Sequence, residues 1–134
     1  CGLGSSTLLM ARAFPNSSFD GFDIHPPSIE EAGTRAAGHD GATNANFEAR
    51  SAVETPANNY DLVCMFDCLH DMGDPVGAAR RIRECLAADG TLMLVEPLAG
   101  DALSDNLNPL NSAGFPLSAT PCVAILRVFA YAQA

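Results

Sequence analysis

The feature that most restricts how this chain can fold is the run at residues 60–69, YDLVCMFDCL, together with the helix-like and strand-like segments after it. A near-continuous apolar run of this length is expected as a parallel strand covered on both faces. Asp74-Pro75 then supplies an N-cap with proline at the first helical position. A helix from there to about Ala87 sets Val76, Ala79, Ile82, Cys85 and Leu86 on one stripe. Asp89-Gly90 closes it, and residues 91–96 (TLMLVE) read as a second buried strand stopped by Pro97. A strand, a helix-length connection and another strand predict parallel pairing.

The same alternation runs back to the first residue. Residues 6–14 read as a helix, with hydroxyls at Ser5, Ser6 and Thr7 to cap it and Leu8, Leu9, Ala11, Ala13 and Phe14 following. Residues 18–24 (SFDGFDI) form a short strand finishing at Asp23. Pro26-Pro27 suit a first helical turn, residues 29–37 continue that helix, and Gly38 stops it. Residues 39–44 are turn-like, and residues 45–50 are a further strand. The order α-β-α-β-β-α-β predicts an α/β fold with an open, mostly parallel sheet. Ligands of such sheets lie outside the carboxyl ends of the strands. The positions of interest are therefore Asp23, Ser51, residues 67–71 and Glu96.

Composition narrows the function classes. The 134 residues leave room for one core, and 48% hydrophobic against 17% charged residues predicts collapse rather than disorder. A net charge of −9, from 16 acids and 7 bases, disfavours phosphate-backbone neutralisation, so neither nucleic acid nor an anionic membrane is an expected partner. All seven bases are arginine, which removes the P-loop lysine, Schiff-base lysines and pyridoxal-phosphate chemistry. No stretch approaches the roughly 18 apolar residues of a membrane span. Five irregularly spaced cysteines (Cys1, Cys64, Cys68, Cys85, Cys122) predict reduced thiols and a cytoplasmic setting, and Cys64 and Cys68 lack any partner at zinc-ligand spacing, so no metal is expected.

Cys1-Gly2-Leu3-Gly4-Ser5-Ser6 sets two glycines immediately before a helix. Glycine lets backbone amides approach a ligand, and a helix N-terminus favours electronegative groups. Asp23, at the end of the next strand, can accept both hydroxyls of an adenosine ribose. NAD and S-adenosylmethionine both use this arrangement. The third glycine of the dinucleotide pattern falls at Thr7, and the basic residue close to the loop in the chain is Arg12, which disfavours a pyrophosphate.

The opening CGLGSSTLLMARAFPNSSFDGFD resembles motif I and the following strand of class I S-adenosylmethionine-dependent methyltransferases. YDLVCMFDCLHDMGDPVGAARRIRECLAADGTLMLVEPLAGD resembles their fourth strand, helix and fifth strand, with HDMGDP the most specific block. The likeness is to bacterial small-molecule methyltransferases with an N-terminal winged-helix domain, and more distantly to plant phenolic O-methyltransferases. It implies a Rossmann-like three-layer α/β/α domain over residues 1–110, with residues 111–134 a divergent segment. It also implies that the first, central strand precedes residue 1 and that the terminal strands are lacking, so the chain reads as part of a longer protein. Dimerisation would run through the N-terminal domain.

By position, the resemblance implies that Gly2 and Gly4 face the methionine portion of the cosubstrate and that Asp23 binds the ribose. Ile24 and His25 would lie beside the adenine, with Ser51 and Ala52 near its ring, and Phe66 and Asp67 would line the methionyl end. His70 matches the base of the plant enzymes' H-D-W-S-D-E block, and Glu96 matches an acid flanking it. Adjacent strands lie about 4.8 Å apart, so the two side chains can meet, and the carboxylate would raise the imidazole pKa. The plainer reading is that His70 and Asp71 hold the loop while Asp74 caps the next helix; His39 is expected to be solvated. The expected function is methyl transfer from S-adenosylmethionine to a small-molecule hydroxyl. The alternatives are a non-catalytic methyltransferase-like fragment and, disfavoured by Thr7 and HDMGDP, an NAD-dependent oxidoreductase.

Overall fold

The computed structural model describes residues 1–38 and 42–97. His39 and the segment 111–134 lie outside the described residues. The chain divides into two compact units, Cys1–Thr55 and one beginning at Pro56. Among the described residues each contains one two-stranded sheet, and both sheets are parallel.

In the first unit, α1 (Ser5–Ala13) leads to β1 (Phe19–Asp23), α2 (Pro26–Ala37) and β2 (Ala45–Ala49). β1 and β2 run in register from Phe19 opposite Ala45 to Asp23 opposite Ala49. α1 buries Thr7, Leu8 and Ala11, while Leu9 and Phe14 stay exposed, so the buried stripe is narrower than the apolar residues suggest. Leu8, Ala11 and Ala42 form a small core against Phe19, Ala36, Ala45 and Phe47. The Asn44 side-chain amide sits among the carbonyls of Ala11, Phe14 and Ser17 and ties the end of α1 to the start of β2. The expected hydroxyl cap of α1 is not used. Gly4 is its N-cap, in a left-handed conformation (φ 74°) with no side-chain bond. The reason is packing: a Cβ at Gly4 would lie 2.7 Å from the Phe47 ring, so only glycine lets the turn close over β2.

In the second unit, β3 (Tyr60–Phe66) is followed by a one-turn 3-10 helix (Leu69–Asp71), α3 (Pro75–Cys85) and β4 (Leu86–Val95). β3 is shorter than the apolar run because Asp67 turns the backbone into left-handed space (φ 51°). α3 starts as expected, with Asp74 Oδ1 accepting the Gly77 amide at 2.8 Å. It ends earlier, at Cys85. Leu86 is already extended and pairs with Tyr60, and the ladder then jumps so that Leu62 faces Thr91. The irregularity is tight at Gly90, where a Cβ would lie 2.6 Å from the Tyr60 carbonyl oxygen. α3 buries Ala78, Ile82 and Cys85, while Val76 is exposed.

Paired residues of a parallel ladder share a face. Val63, Met65, Leu92 and Leu94 form the better covered side of β3–β4. Leu62, Phe66, Met93 and Val95 form the other, and all four are exposed. The expectation that this strand pair is covered on both faces is therefore met on one face only among the described residues. The α/β class with parallel strands joined through helices is as expected.

Candidate functional site

The first unit assembles a cluster at the carboxyl end of β1. Asp23 Oδ2 accepts from the Gly2 amide at 2.8 Å and from the Cys1 nitrogen at 2.9 Å, and Oδ1 accepts from the His25 amide at 3.0 Å. Burial alone would raise the Asp23 carboxyl. The hydrogen bonds from the Cys1 nitrogen and the Gly2 and His25 amides outweigh that and lower it. It is thus an ionised, acceptor-only group whose side chain keeps 23% of its surface exposed.

The neighbours of Asp23 leave the same side open. Gly2 is left-handed (φ 53°), and a Cβ there would meet nothing within 4 Å. Ile24 is 77% exposed, an unusual position for a large aliphatic side chain directly after a strand. His25 is exposed, N-caps α2, and places Nδ1 2.9 Å from Ser28 Oγ. Just past β2, the Arg50 amide extends the ladder to the Asp23 carbonyl at 2.8 Å. Ser51 and Ala52 then leave the strand into a 3-10 turn at that same end. Gly2, Asp23, Ile24, His25, Ser51 and Ala52 therefore gather at one edge of the β1–β2 pair. Gly4 differs from them: it is buried under Phe47, so its lack of a side chain serves packing.

The sequence reading missed Arg35. Its Nη1 donates to the Leu3 carbonyl at 2.7 Å and to Ser5 Oγ at 3.0 Å, so a cation does reach the glycine turn, from α2. Nothing in the local sequence signals a contact spanning some thirty positions. Only the docking of α2 beside α1 creates it.

The second unit gathers Asp67, His70 and Glu96. Glu96 Oε1 accepts the Cys68 amide at 3.0 Å and the Leu69 amide at 2.8 Å, and Oε2 faces His70 Nδ1 in a short hydrogen bond. The other ring nitrogen, Nε2, lies 3.4 Å from Asp71 Oδ1. The bond to Glu96 pushes the imidazole pKa up against the opposing effect of burial, and Asp71 and Asp67 add to it. Burial would raise Glu96, but His70 and the two amides win and lower it. Both shifts favour the ionic form of the pair.

The meeting of His70 with Glu96 is as the strand-end argument expects. The His70 side chain is 1% exposed, and both ring nitrogens face carboxylates. Asp67, His70 and Glu96 offer ligand atoms within 4.8 Å of one another, the spacing of a cation site. Phe66 and Asp67 close β3, both exposed, with the Asp67 amide bonded to the Val95 carbonyl at 2.7 Å.

Comparison with known proteins decides the family. Residues 1–92 match the family model described as a methyltransferase domain. The chain belongs to the methyltransferase family. No curated protein matches the chain by sequence. Among solved structures, the cyclase SpnF is similar over 72% of this chain and 36% of its own, at 24% identity and TM-score 0.67. YcgJ from Bacillus subtilis covers 73% of this chain and 42% of its own, at 25% identity and TM-score 0.64. The O-methyltransferase of a trans-AT polyketide synthase multienzyme from Brevibacillus brevis, in complex with S-adenosyl-L-homocysteine, covers 77% and 35%, at 21% identity and TM-score 0.67. The chain thus spans well under half the length of the solved proteins it resembles.

S-adenosylmethionine is the cofactor of this methyltransferase family, and the first cluster fits its nucleoside. An ionised carboxylate suits ribose hydroxyl donors, and the open face at Gly2 leaves room for the ligand to approach backbone. No helix among the described residues is long and apolar enough to cross a membrane.

Proposed function

We propose that this protein methylates a small molecule, with a hydroxyl as the acceptor and S-adenosylmethionine as the methyl donor. The observation that carries the reading is Asp23: a carboxylate held by the Gly2 and His25 amides at a strand end, beside a left-handed glycine with an open face. In this reading Asp23 accepts the ribose hydroxyls, and the Gly2 backbone borders the methionyl portion. Ile24 and His25 flank the adenine, with Ser51 and Ala52 at its ring. Phe66 and Asp67 serve the methionyl end, as the resemblance implies. Gly4 keeps the turn packed on Phe47.

When bound, S-adenosylmethionine supplies an activated methyl group on a sulfonium. The transfer is an in-line displacement, so the protein's task is to align the partners and exclude water, which is worth roughly 7–11 kcal/mol. His70 and Glu96 act in this reading as a loop lock rather than as base and helper. Glu96 fixes the amides of Cys68 and Leu69 while the buried imidazolium neutralises it. Acceptor deprotonation is then left to the substrate's own acidity. The net charge of −9 favours a neutral or cationic small molecule over nucleic acid. The reduced cysteines favour the cytoplasm. The domain over residues 1–110 and dimerisation through an N-terminal winged-helix domain belong to the same proposal.

Calorimetric titration of the full-length protein with S-adenosylhomocysteine tests the site. Asp23→Ala is expected to weaken affinity at least tenfold, about 1.4 kcal/mol for one lost charged contact. Unchanged affinity overturns the assignment. The closed imidazole of His70 favours one second reading, a protein that binds the nucleoside without transferring its methyl group. Tritium transfer from labelled S-adenosylmethionine into a panel of phenols and hydroxylated lipids separates the two.

A further inference from the structure

The glycine turn Cys1–Gly4 is held from two sides. On one side the Asp23 carboxylate takes the Gly2 amide, and on the other the Arg35 guanidinium takes the Leu3 carbonyl and Ser5 Oγ. Two residues of this turn, Gly2 and Gly4, have left-handed backbones. Glycine adopts such a backbone without strain but also leaves it easily, because nothing in its own side chain opposes other conformations. Gly4 N–H bonds to the Cys1 carbonyl at 3.0 Å, and α1 receives no side-chain cap at this end. A cation at a helix N-terminus opposes the helix dipole. The placement of Arg35 therefore needs a compensating partner, and the Leu3 carbonyl and Ser5 hydroxyl provide two.

We infer that Arg35 is a positioning residue for S-adenosylmethionine binding: from α2 it clamps the Leu3 carbonyl and the Ser5 hydroxyl, fixing the glycine turn in the shape that presents Gly2 beside Asp23. The inference rests on the cosubstrate reading of Asp23 and adds a residue that does not itself touch the ligand. Affinity depends on it because a turn already ordered before binding leaves less conformational entropy to be lost on binding. One nitrogen, Nη1, makes both bonds. The planar fork of arginine is not exploited here, so a single lysine ammonium on a long stem can serve in its place.

The test titrates S-adenosylhomocysteine into the full-length wild type, Arg35→Gln, Arg35→Lys, Ser5→Ala and Asp23→Ala by calorimetry, with the thermal midpoint of each unliganded protein recorded alongside. Arg35→Gln is expected to weaken binding about fivefold, Ser5→Ala about twofold, and Arg35→Lys to restore most of the loss, while the unliganded midpoints stay together. Equal affinity in wild type and Arg35→Gln overturns the inference. So does an affinity loss that follows the midpoint downward and is not rescued by lysine, which marks a purely structural contact. If Arg35→Gln fails to fold, Ser5→Ala decides: no weakening there overturns the clamp. A wild type that binds, with Asp23→Ala weakened and the Arg35 and Ser5 variants unaffected, removes this inference alone. A wild type that does not bind removes the cosubstrate reading and this inference with it.

Discussion

Asp23 ends β1 and Glu96 follows β4, and each collects two backbone amides and one further nitrogen at the carboxyl end of a parallel strand. Both carboxyls are lowered for the same reason: hydrogen-bond donors that favour the ionised form outweigh the cost of burial. Their surroundings differ. Asp23 borders the open face of Gly2 and the exposed Ile24, whereas Glu96 borders fully buried Leu69 and the buried ring of His70. A carboxylate stabilised in the open retains capacity for a ligand. One that is sealed under an imidazolium has spent that capacity on the loop it holds. A lowered pKa at a strand end does not separate binding from architecture; the exposure of its neighbours does.

The largest effect that can break this contrast is on stability. Glu96→Gln removes the charge that pairs with a side chain only 1% exposed. Breaking a pair this buried is expected to cost about 3 kcal/mol in urea unfolding. Asp23→Asn, at a partly exposed site, is expected to cost under about 1 kcal/mol. Equal costs would mean that Asp23 is as structural as Glu96, and the functional assignment of the first cluster would lose its footing.

Much of the first cluster could be read from the sequence because its logic is local. Two glycines before a helix, an acid at the next strand's end and prolines in the following turn are chemical signals that survive without tertiary context, and α2 begins at Pro26 as those prolines require. Parallel pairing came in the same way from helix-length connections. What the sequence did not carry was burial. The HDMGDP block placed His70 at a strand end beside Glu96, but whether its ring faces solvent depends on the 3-10 turn at Leu69–Asp71, which no periodicity signals. Nor did apolarity predict which face of β3–β4 is covered, since Leu62 and Val63 are equally apolar but lie on opposite sides. Arg35 escaped for a related reason: its partners are distant in the chain, and Arg12, near in sequence, was the residue that drew attention.

The two glycines of the turn sharpen the contrast at a smaller scale. Gly4→Ala pushes a methyl to within 2.7 Å of Phe47 and forces a side chain into left-handed backbone at φ 74°. Overpacking and strain together are expected to cost about 2 kcal/mol of stability. Gly2→Ala meets no atom within 4 Å, so only the backbone strain, about 1 kcal/mol, should register. Its larger signature should be weaker S-adenosylhomocysteine binding in calorimetry, because the added methyl occupies the face left open. If Gly2→Ala binds as wild type does, that face is not where the ligand lies.

The smallest effect is the pH dependence, and its sign distinguishes the two carboxylates. The His70 pKa is raised above its ordinary 6.5, so its contribution to stability is complete below that pH and is lost as pH rises through the higher folded value. Glu96 is lowered from 4.5, so its contribution is complete above 4.5 and is lost as pH falls through the lower folded value. The pair is therefore worth most between 4.5 and 6.5. Asp23 is lowered from 3.8, so it contributes fully above 3.8 and fades only in stronger acid. The thiols of Cys64, Cys68 and Cys85 are pushed up from 9.0 by burial, so they stay neutral and do not confuse the alkaline side. Urea midpoints of wild type and Glu96→Gln, taken at pH 5.5, 7 and 8.5, should draw together as pH rises, while the gap between wild type and Asp23→Asn stays constant. A Glu96→Gln gap that holds steady across that range would mean that the imidazole is bound neutral, and that the second cluster is held by hydrogen bonds rather than by paired charges.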